Sequence, residues 1–157
     1  MTNKHTSVGP DGSVATRNSK SRIYTHAVWV RHNRESAVKA ANKVNQTDVS
    51  NYHFYRAYLD GTSEWLGRGS YEDGERYAQR VAKEKANAEQ ALAGCDSLEA
   101  WLEMRRQKAL AVIEAINWDE WDCVTWCGSR ALAEKQKSSW GSKDWIAEAV
   151  ISEVKTS

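Results

Sequence analysis

With 157 residues, 41% of them hydrophobic and 27% charged, the chain has the length and make-up of one small globular domain with a modest core. A formal net charge of +1 excludes the strong global field of a DNA or membrane-surface binder, and equally an acidic DNA mimic. The three cysteines, Cys95, Cys123 and Cys127, fit a reducing cytosol better than a disulfide framework, and no apolar run approaches the ~20 residues of a membrane helix.

Residues 1–12 are polar, have no signal-peptide core, and predict a loose leader ending in an Asp11-Gly12 turn. Residues 13–17 hold Val14 and Thr16, which suit a strand, and Asn18, Ser19, Lys20 and Ser21 are turn formers. Ile23 to Val30 is rich in β-branched and aromatic residues, so residues 22–31 read as a long buried strand. The expectation is a hairpin whose turn carries Arg17, Lys20 and Arg22, a group able to hold a phosphate through charge-assisted bonds. A solvated turn is the simpler reading of the same residues.

Residues 33–45 follow as a helix, with Ala37, Val38, Ala41 and Val44 at helical spacing. Residues 46–51 are polar and loop-like. The aromatic run YHFYRAYL at 52–59 predicts a third strand, closed by Asp60-Gly61. Residues 62–70 read as a loop next to closely spaced glycines, with a short strand at 64–66. From Tyr71 to Ala93 good helix formers dominate, and Tyr77, Val81, Ala88 and Leu92 make a thin apolar stripe. Gly94 is placed to end this helix in a left-handed cap. Asp96, with Glu99 three residues on, predicts a capping box for the next. Leu98, Trp101, Leu102, Ala109, Val112, Ile113 and Ile116 give it the strongest helical period in the chain. With so short a connection, the two should form an antiparallel hairpin. After a break at 117–119, residues 121–127 (WDCVTWC) alternate as a strand, Gly128-Ser129 opens a helix to about Trp140, and residues 145–154, where Ala147 and Ala149 would also allow a helix, are read as a final strand for their β-branched end, Val150, Ile151 and Val154.

The expected fold is therefore α+β: one ligand-binding domain over residues 13–157, with a mainly antiparallel sheet from residues 13–17, 22–31, 52–59, 121–127 and 145–154. A long antiparallel helical hairpin, residues 72–93 and 97–117, packs on or beside it, and the C-terminal third is a strand-helix-strand unit. The thin apolar stripe and the need to bury many tryptophans favour a homo-oligomer.

Catalytic and metal signatures are thin. His26 and His32, with Cys123 and Cys127, invite a zinc guess, but there is no Cys-x-x-Cys pair and no helical His-x-x-x-His. A two-histidine phosphodiesterase needs two His-x-Thr/Ser motifs, and only His5-Thr6-Ser7 matches. No Walker loop, dinucleotide fingerprint or serine nucleophile elbow is present. Asp119, Glu120 and Asp122 read as a solvated corner beside tryptophans. The stronger signal is Trp126-Cys127-Gly128-Ser129-Arg130, where a strand hands over to a helix N-terminus. Free amides there attract anions, Arg130 adds charge, and Trp126 offers a stacking face. Ser129 could bind the same anion or simply cap the helix. Eight Trp and six Tyr against one Phe favour flat faces with a polar edge, useful for stacking on bases as well as for cores. Two phosphate-friendly sites without a nucleophile or base point to binding without turnover.

The basic turn with RNSKSRIYTHAVWV, the helical hairpin, and the strand-glycine-arginine-helix segment WCGSRALAEK together resemble small phage proteins of the first Thoeris anti-defence family. The resemblance spans most of residues 12–154 on short motifs. It implies a non-catalytic sponge that sequesters glyco-cyclic ADP-ribose, a bacterial immune signal, and leaves it intact. It also implies that cyclic oligonucleotides can bind in separate pockets, and that the protein assembles as a dimer or hexamer in the host cytoplasm. No cofactor, metal, membrane or DNA partner is expected. The matching positions are Arg17, Arg22 and Arg130 for the diphosphate, with Trp126 or Tyr24 stacking on the adenine. The extra Ser129 before Arg130, and the longer stretch from 51 to 74, depart from the compact family pattern. The alternatives are a protein-binding inhibitor of a host enzyme, anchored by exposed tryptophan, or a phosphodiesterase with a composite site across subunits.

Overall fold

The computed structural model describes residues 1–69 and 72–157. They hold strands β1 (Asn3–Val8), β2 (Val14–Ser19), β3 (His26–His32), β4 (Asp122–Cys127) and β5 (Ile146–Thr156), and helices α1 (Arg34–Ala41), α2 (Gln46–Asp60), α3 (Gly74–Leu92), α4 (Leu98–Ala115) and α5 (Arg130–Gly141). The fold is α+β with an antiparallel five-stranded sheet of order β2-β1-β5-β3-β4. The chain divides into two compact units where the sequence predicts one domain: residues 1–40 with 113–157, and residues 41–112.

The first unit carries the sheet. Its first element corrects the loose leader: residues 3–8 form β1, with His5 and Ser7 fully buried. The leader is a strand because its polar side chains find partners. His5 Nδ1 lies 2.9 Å from Thr156 Oγ1, and its Nε2 lies 3.1 Å from the Arg22 carbonyl. The Asp11-Gly12 turn forms as expected. Gly12 has φ 83°, and its amide donates to the Gly9 carbonyl at 3.0 Å. That turn joins β1 to β2, pairing His5 with Arg17 and Ser7 with Ala15. The expected hairpin between residues 13–17 and 22–31 is thus absent. β2 is an edge strand on β1, and β3 starts only at His26, between β5 and β4. β1 took the partner that the sequence assigned to the long strand.

Period-two geometry sorts the sheet into two faces. Val28, Val30, Cys127, Ala133 of α5 and Ile146 form a buried cluster, with Val124, Trp140, Ala149 and Ile151 packed around it. Burial of each large aliphatic here contributes about 1.5–3 kcal/mol. The Trp140 indole N–H donates to Thr125 Oγ1 at 3.1 Å and pins α5 to β4. The C-terminal strand-helix-strand unit is as expected, with β3 lying between its two strands. Helix α1 is shorter than the expected 33–45. Asn33 Oδ1 caps it, accepting the amides of Glu35 and Ser36 at 3.1 and 3.3 Å.

The second unit is helical, and it overturns the strand expected at 52–59. Residues 46–60 form α2. Asn45 Oδ1 accepts the Thr47 amide at 2.9 Å, and Gly61, at φ 73°, returns its N–H to the carbonyls of Ala57 and Tyr58. The aromatics follow helical spacing. Tyr52, Tyr55 and Leu59 join Leu92 and Trp101 in one cluster, and Phe54 meets Tyr58 edge-on at 5.0 Å. The loop expected at 46–51 is the first part of this helix, and residues 64–66 form a short 3-10 turn where a strand was expected. Helices α3 and α4 form the long consecutive helical pair, turning through left-handed Ala93 (φ 48°) and Gly94 (φ 77°). The predicted start at Tyr71, and Ser70 before it, lie outside the described residues. Ser97 serves the first turn of α4, its Oγ accepting the Ala100 amide at 3.2 Å, in the place expected of Asp96.

Arg80 of α3 clamps the segment before it. Its guanidinium bonds both Glu72 carboxylate oxygens (2.8 and 3.0 Å) and the carbonyls of Trp65 (2.8 Å) and Gly67 (2.7 Å). Hydrogen bonding from Arg80 lowers the Glu72 carboxyl from the ordinary 4.5 to about 2. A depressed carboxylate stabilises the fold fully above its unfolded value and loses that contribution as pH falls through its folded one. The clamp should therefore weaken only as pH drops from 4.5 towards 2. A Glu72 carboxyl titration by NMR should show this, and a midpoint near 4.5 would mean the clamp does not form in solution.

Among the described residues, no helix is long and apolar enough to cross a membrane, and no three His, Cys, Asp or Glu side chains gather as metal ligands.

Candidate anion-binding face

The sheet face opposite α5 gathers three of the residues singled out from the sequence, Arg17, Tyr24 and Trp126. Cross-strand partners in antiparallel strands share a face. Arg17 lies opposite His5, His5 opposite Thr156, Ser7 opposite Val154, and Ala27 opposite both Ser152 and Trp126. The Trp29 indole N–H, from β3, reaches across β5 to donate to Ser7 Oγ at 3.0 Å. Residues 20–25 then pass beside this face. The Thr25 amide donates to the Cys127 carbonyl at 2.9 Å, and the Val154 amide to the Thr25 carbonyl at 2.9 Å.

Tyr24 is the hub. It is 7% exposed, with the His5 ring 5.1 Å away edge-on and the Trp126 ring 6.1 Å away at 62°. The Arg17 guanidinium sits 5.0 Å above its centroid. This burial assigns Tyr24 a different job from the stacking one that the sequence allowed. Its ring is spent on protein neighbours and holds Arg17 in place, which leaves half-buried Trp126 as the stacking surface. The structure thus brings together Arg17, Tyr24 and Trp126, and adds His5, which the sequence reading set aside.

The remaining candidates lie close along the chain. Arg22 is fixed by its backbone, its amide accepted by Ser19 Oγ at 2.8 Å. Lys20 is exposed. The segment's backbone abuts the strand-to-helix junction: a Cβ on Gly128 would lie 3.4 Å from the Ile23 carbonyl oxygen. At that junction Ser129 is the cap of α5, its Oγ accepting the Leu132 amide at 3.3 Å. Ser129→Ala should therefore cost about 1 kcal/mol of stability, read by denaturant melts. A loss near zero would free Ser129 for another role. Arg130 is exposed and loosely paired with Glu134, 3.7 Å away and four residues on.

Arginine pairing separates this face from the rest of the surface. Eight of the eleven arginines have a carboxylate within 4 Å. Among the described residues the exceptions are Arg17, Arg22 and Arg68, and Arg68 Nε already donates to the Glu72 carbonyl at 2.7 Å. Arg17, Arg22 and Lys20 thus form a cationic edge with no carboxylate partner among the described residues. Cys123 also lies near Arg17. Burial pushes its thiol up to about 11, although the guanidinium pulls the other way, so the group is protonated at neutral pH. What this arrangement offers is fixed charge beside an aromatic face: the means to hold an anion carrying a flat ring.

Comparison with family models, curated proteins and solved structures finds no match to this chain.

Proposed function

We propose that this chain is a non-catalytic sponge for a nucleotide immune signal, glyco-cyclic ADP-ribose or a cyclic oligonucleotide, and that it blocks bacterial anti-phage defence by holding the signal intact. The unpaired arginines are the observation that carries this reading. Arginines on a folded surface ordinarily find carboxylates, as eight do here, so Arg17 and Arg22 without one have their charge available for an external anion. Trp126 supplies the flat face for a base, and Arg17 on Tyr24 is held ready for a phosphate. The sponge works in the host cytoplasm as a homo-oligomer, a dimer or hexamer, and takes no cofactor, DNA or membrane partner.

The test is direct. The protein is loaded with glyco-cyclic ADP-ribose, washed, heat-denatured, and the supernatant analysed. A sponge releases intact ligand in stoichiometric amount. Hydrolysed product would mean a phosphodiesterase. No retained ligand, with any tested cyclic nucleotide, would leave inhibition of a host protein, for which 63%-exposed Trp65 is the natural anchor.

A further inference from the structure

A cavity of about 550 Å³ lies in the first unit where β3 hands over to α1 and the chain leaves α4 for β4. Its volume is in the range of small-molecule sites. Trp118, Trp145 and Ile116 form its apolar walls, with Ala37 and Ala40 of α1. Its charged members are Glu120 and Asp122, with His32, whose Nε2 lies 3.1 Å from Asp122 Oδ2. Among the described residues no arginine or lysine lines it, the reverse of the Arg17 face.

Most of its polar groups are already committed. The Trp118 indole N–H donates to the Ile113 carbonyl at 2.8 Å, which fixes that ring as a wall. Asn33 spends its carbonyl on capping α1 and its amide on the Asp144 carbonyl at 3.3 Å. Directional hydrogen-bond readout is therefore weak. What the cavity offers is indole faces and carboxylate charge, the two features that attract an organic cation. Cations nearby behave accordingly. The Lys143 ammonium sits 4.9 Å from the Trp145 ring centroid, the Arg31 guanidinium 5.9 Å from that of Trp121, and Arg34 is paired with Glu114.

We infer that this cavity binds a compact organic cation, an ammonium on an apolar or aromatic body, held between the tryptophans and neutralised by Glu120 and Asp122. The site does not depend on the sponge reading, because phosphate-bearing ligands are repelled from it. Three benzene derivatives probe it by calorimetry on the intact chain: benzyltrimethylammonium, neutral benzyl alcohol and anionic benzenesulfonate. The ammonium should bind one per chain, about tenfold or more tighter than the alcohol, and the sulfonate should not bind. Trp145 is 52% exposed and Glu120 is exposed, so neither is needed for folding. Trp145→Ala should weaken the ammonium about tenfold, and Glu120→Gln about three- to tenfold. Binding of glyco-cyclic ADP-ribose should be unchanged in both. No ammonium binding at millimolar concentration, equal affinity for alcohol and ammonium, or full affinity in Trp145→Ala would each overturn the assignment.

Discussion

Replacing Arg17 with alanine is expected to weaken glyco-cyclic ADP-ribose binding by about 2–4 kcal/mol, the scale for removing one member of a desolvated charge pair. In fold-change terms this is roughly 30- to 700-fold. The size follows from how Arg17 is held. Its guanidinium rests on a buried tyrosine that is itself braced by His5 and Trp126, so its charge is aimed before any ligand arrives. Arg17→Lys should recover only part of the loss, since an ammonium cannot reproduce the planar fork. Arg130→Ala should cost less, because Arg130 already shares its charge with Glu134. Folding should be nearly untouched, as the Arg17 side chain is exposed. Unchanged affinity in Arg17→Ala, with circular dichroism intact, would remove this face as the nucleotide site.

Trp29→Ala is expected to be the most damaging single change to the fold, at about 3–5 kcal/mol in denaturant melts. Trp29 is 2% exposed, and its indole N–H is the hydrogen-bond donor to fully buried Ser7 Oγ. Removal leaves a large void and takes one of two hydrogen bonds from a buried hydroxyl, which keeps its own donation to the Glu153 carbonyl at 3.3 Å. Trp29→Phe keeps most of the bulk and should lose only about 1 kcal/mol, that of the hydrogen bond. Gly9 reports the same packing from the other side. A Cβ there would lie 2.8 Å from Trp29 Cε3, so Gly9→Ala should be costly alone and tolerated beside Trp29→Ala. Additive effects in that pair would mean that the ring does not lie against Gly9.

Sequence legibility tracked how local the deciding interaction was. Helices α3, α4 and α5, and strands β4 and β5, were readable because period and caps are written within each segment: Ser129 before α5, Gly94 after α3, alternation through residues 121–127. The run at 52–59 reads as a strand by its aromatic content and as a helix by its spacing, and spacing decides. Tyr52, Tyr55 and Leu59 recur at helical intervals, and Asn45 and Gly61 cap both ends. β1 was illegible for a different reason. Its burial depends on Thr156 and the Arg22 carbonyl, partners 151 and 17 residues away, and nothing local marks a polar strand as buried. The candidate face was half legible. Arg17, Tyr24 and Trp126 were named, but Tyr24's role as a support rests on burial, which residue type alone does not give. The cavity beside Trp118 and Trp145 is not legible in the sequence because its lining comes from α1, the ends of β3 and β4, and the loop residues that follow α4 and precede β5.

The pairing of β1 with β5 fixes an order of events during synthesis. His5 faces Thr156, so the sheet cannot close until the last strand has left the ribosome. The 41–112 unit is continuous in sequence and interrupts the sheet unit, whose two parts flank it. It can therefore reach its own packing while the β1–β2 hairpin waits with one edge unpaired. Closing a loop of that length adds only about 0.1 kcal/mol or less per further ten residues, so the delay is a matter of time and not of stability. During that interval the apolar strand β3 also waits, for both of its partners, while the open edge of β1 carries a polar sequence, NKHTSV, suited to surviving the wait in water.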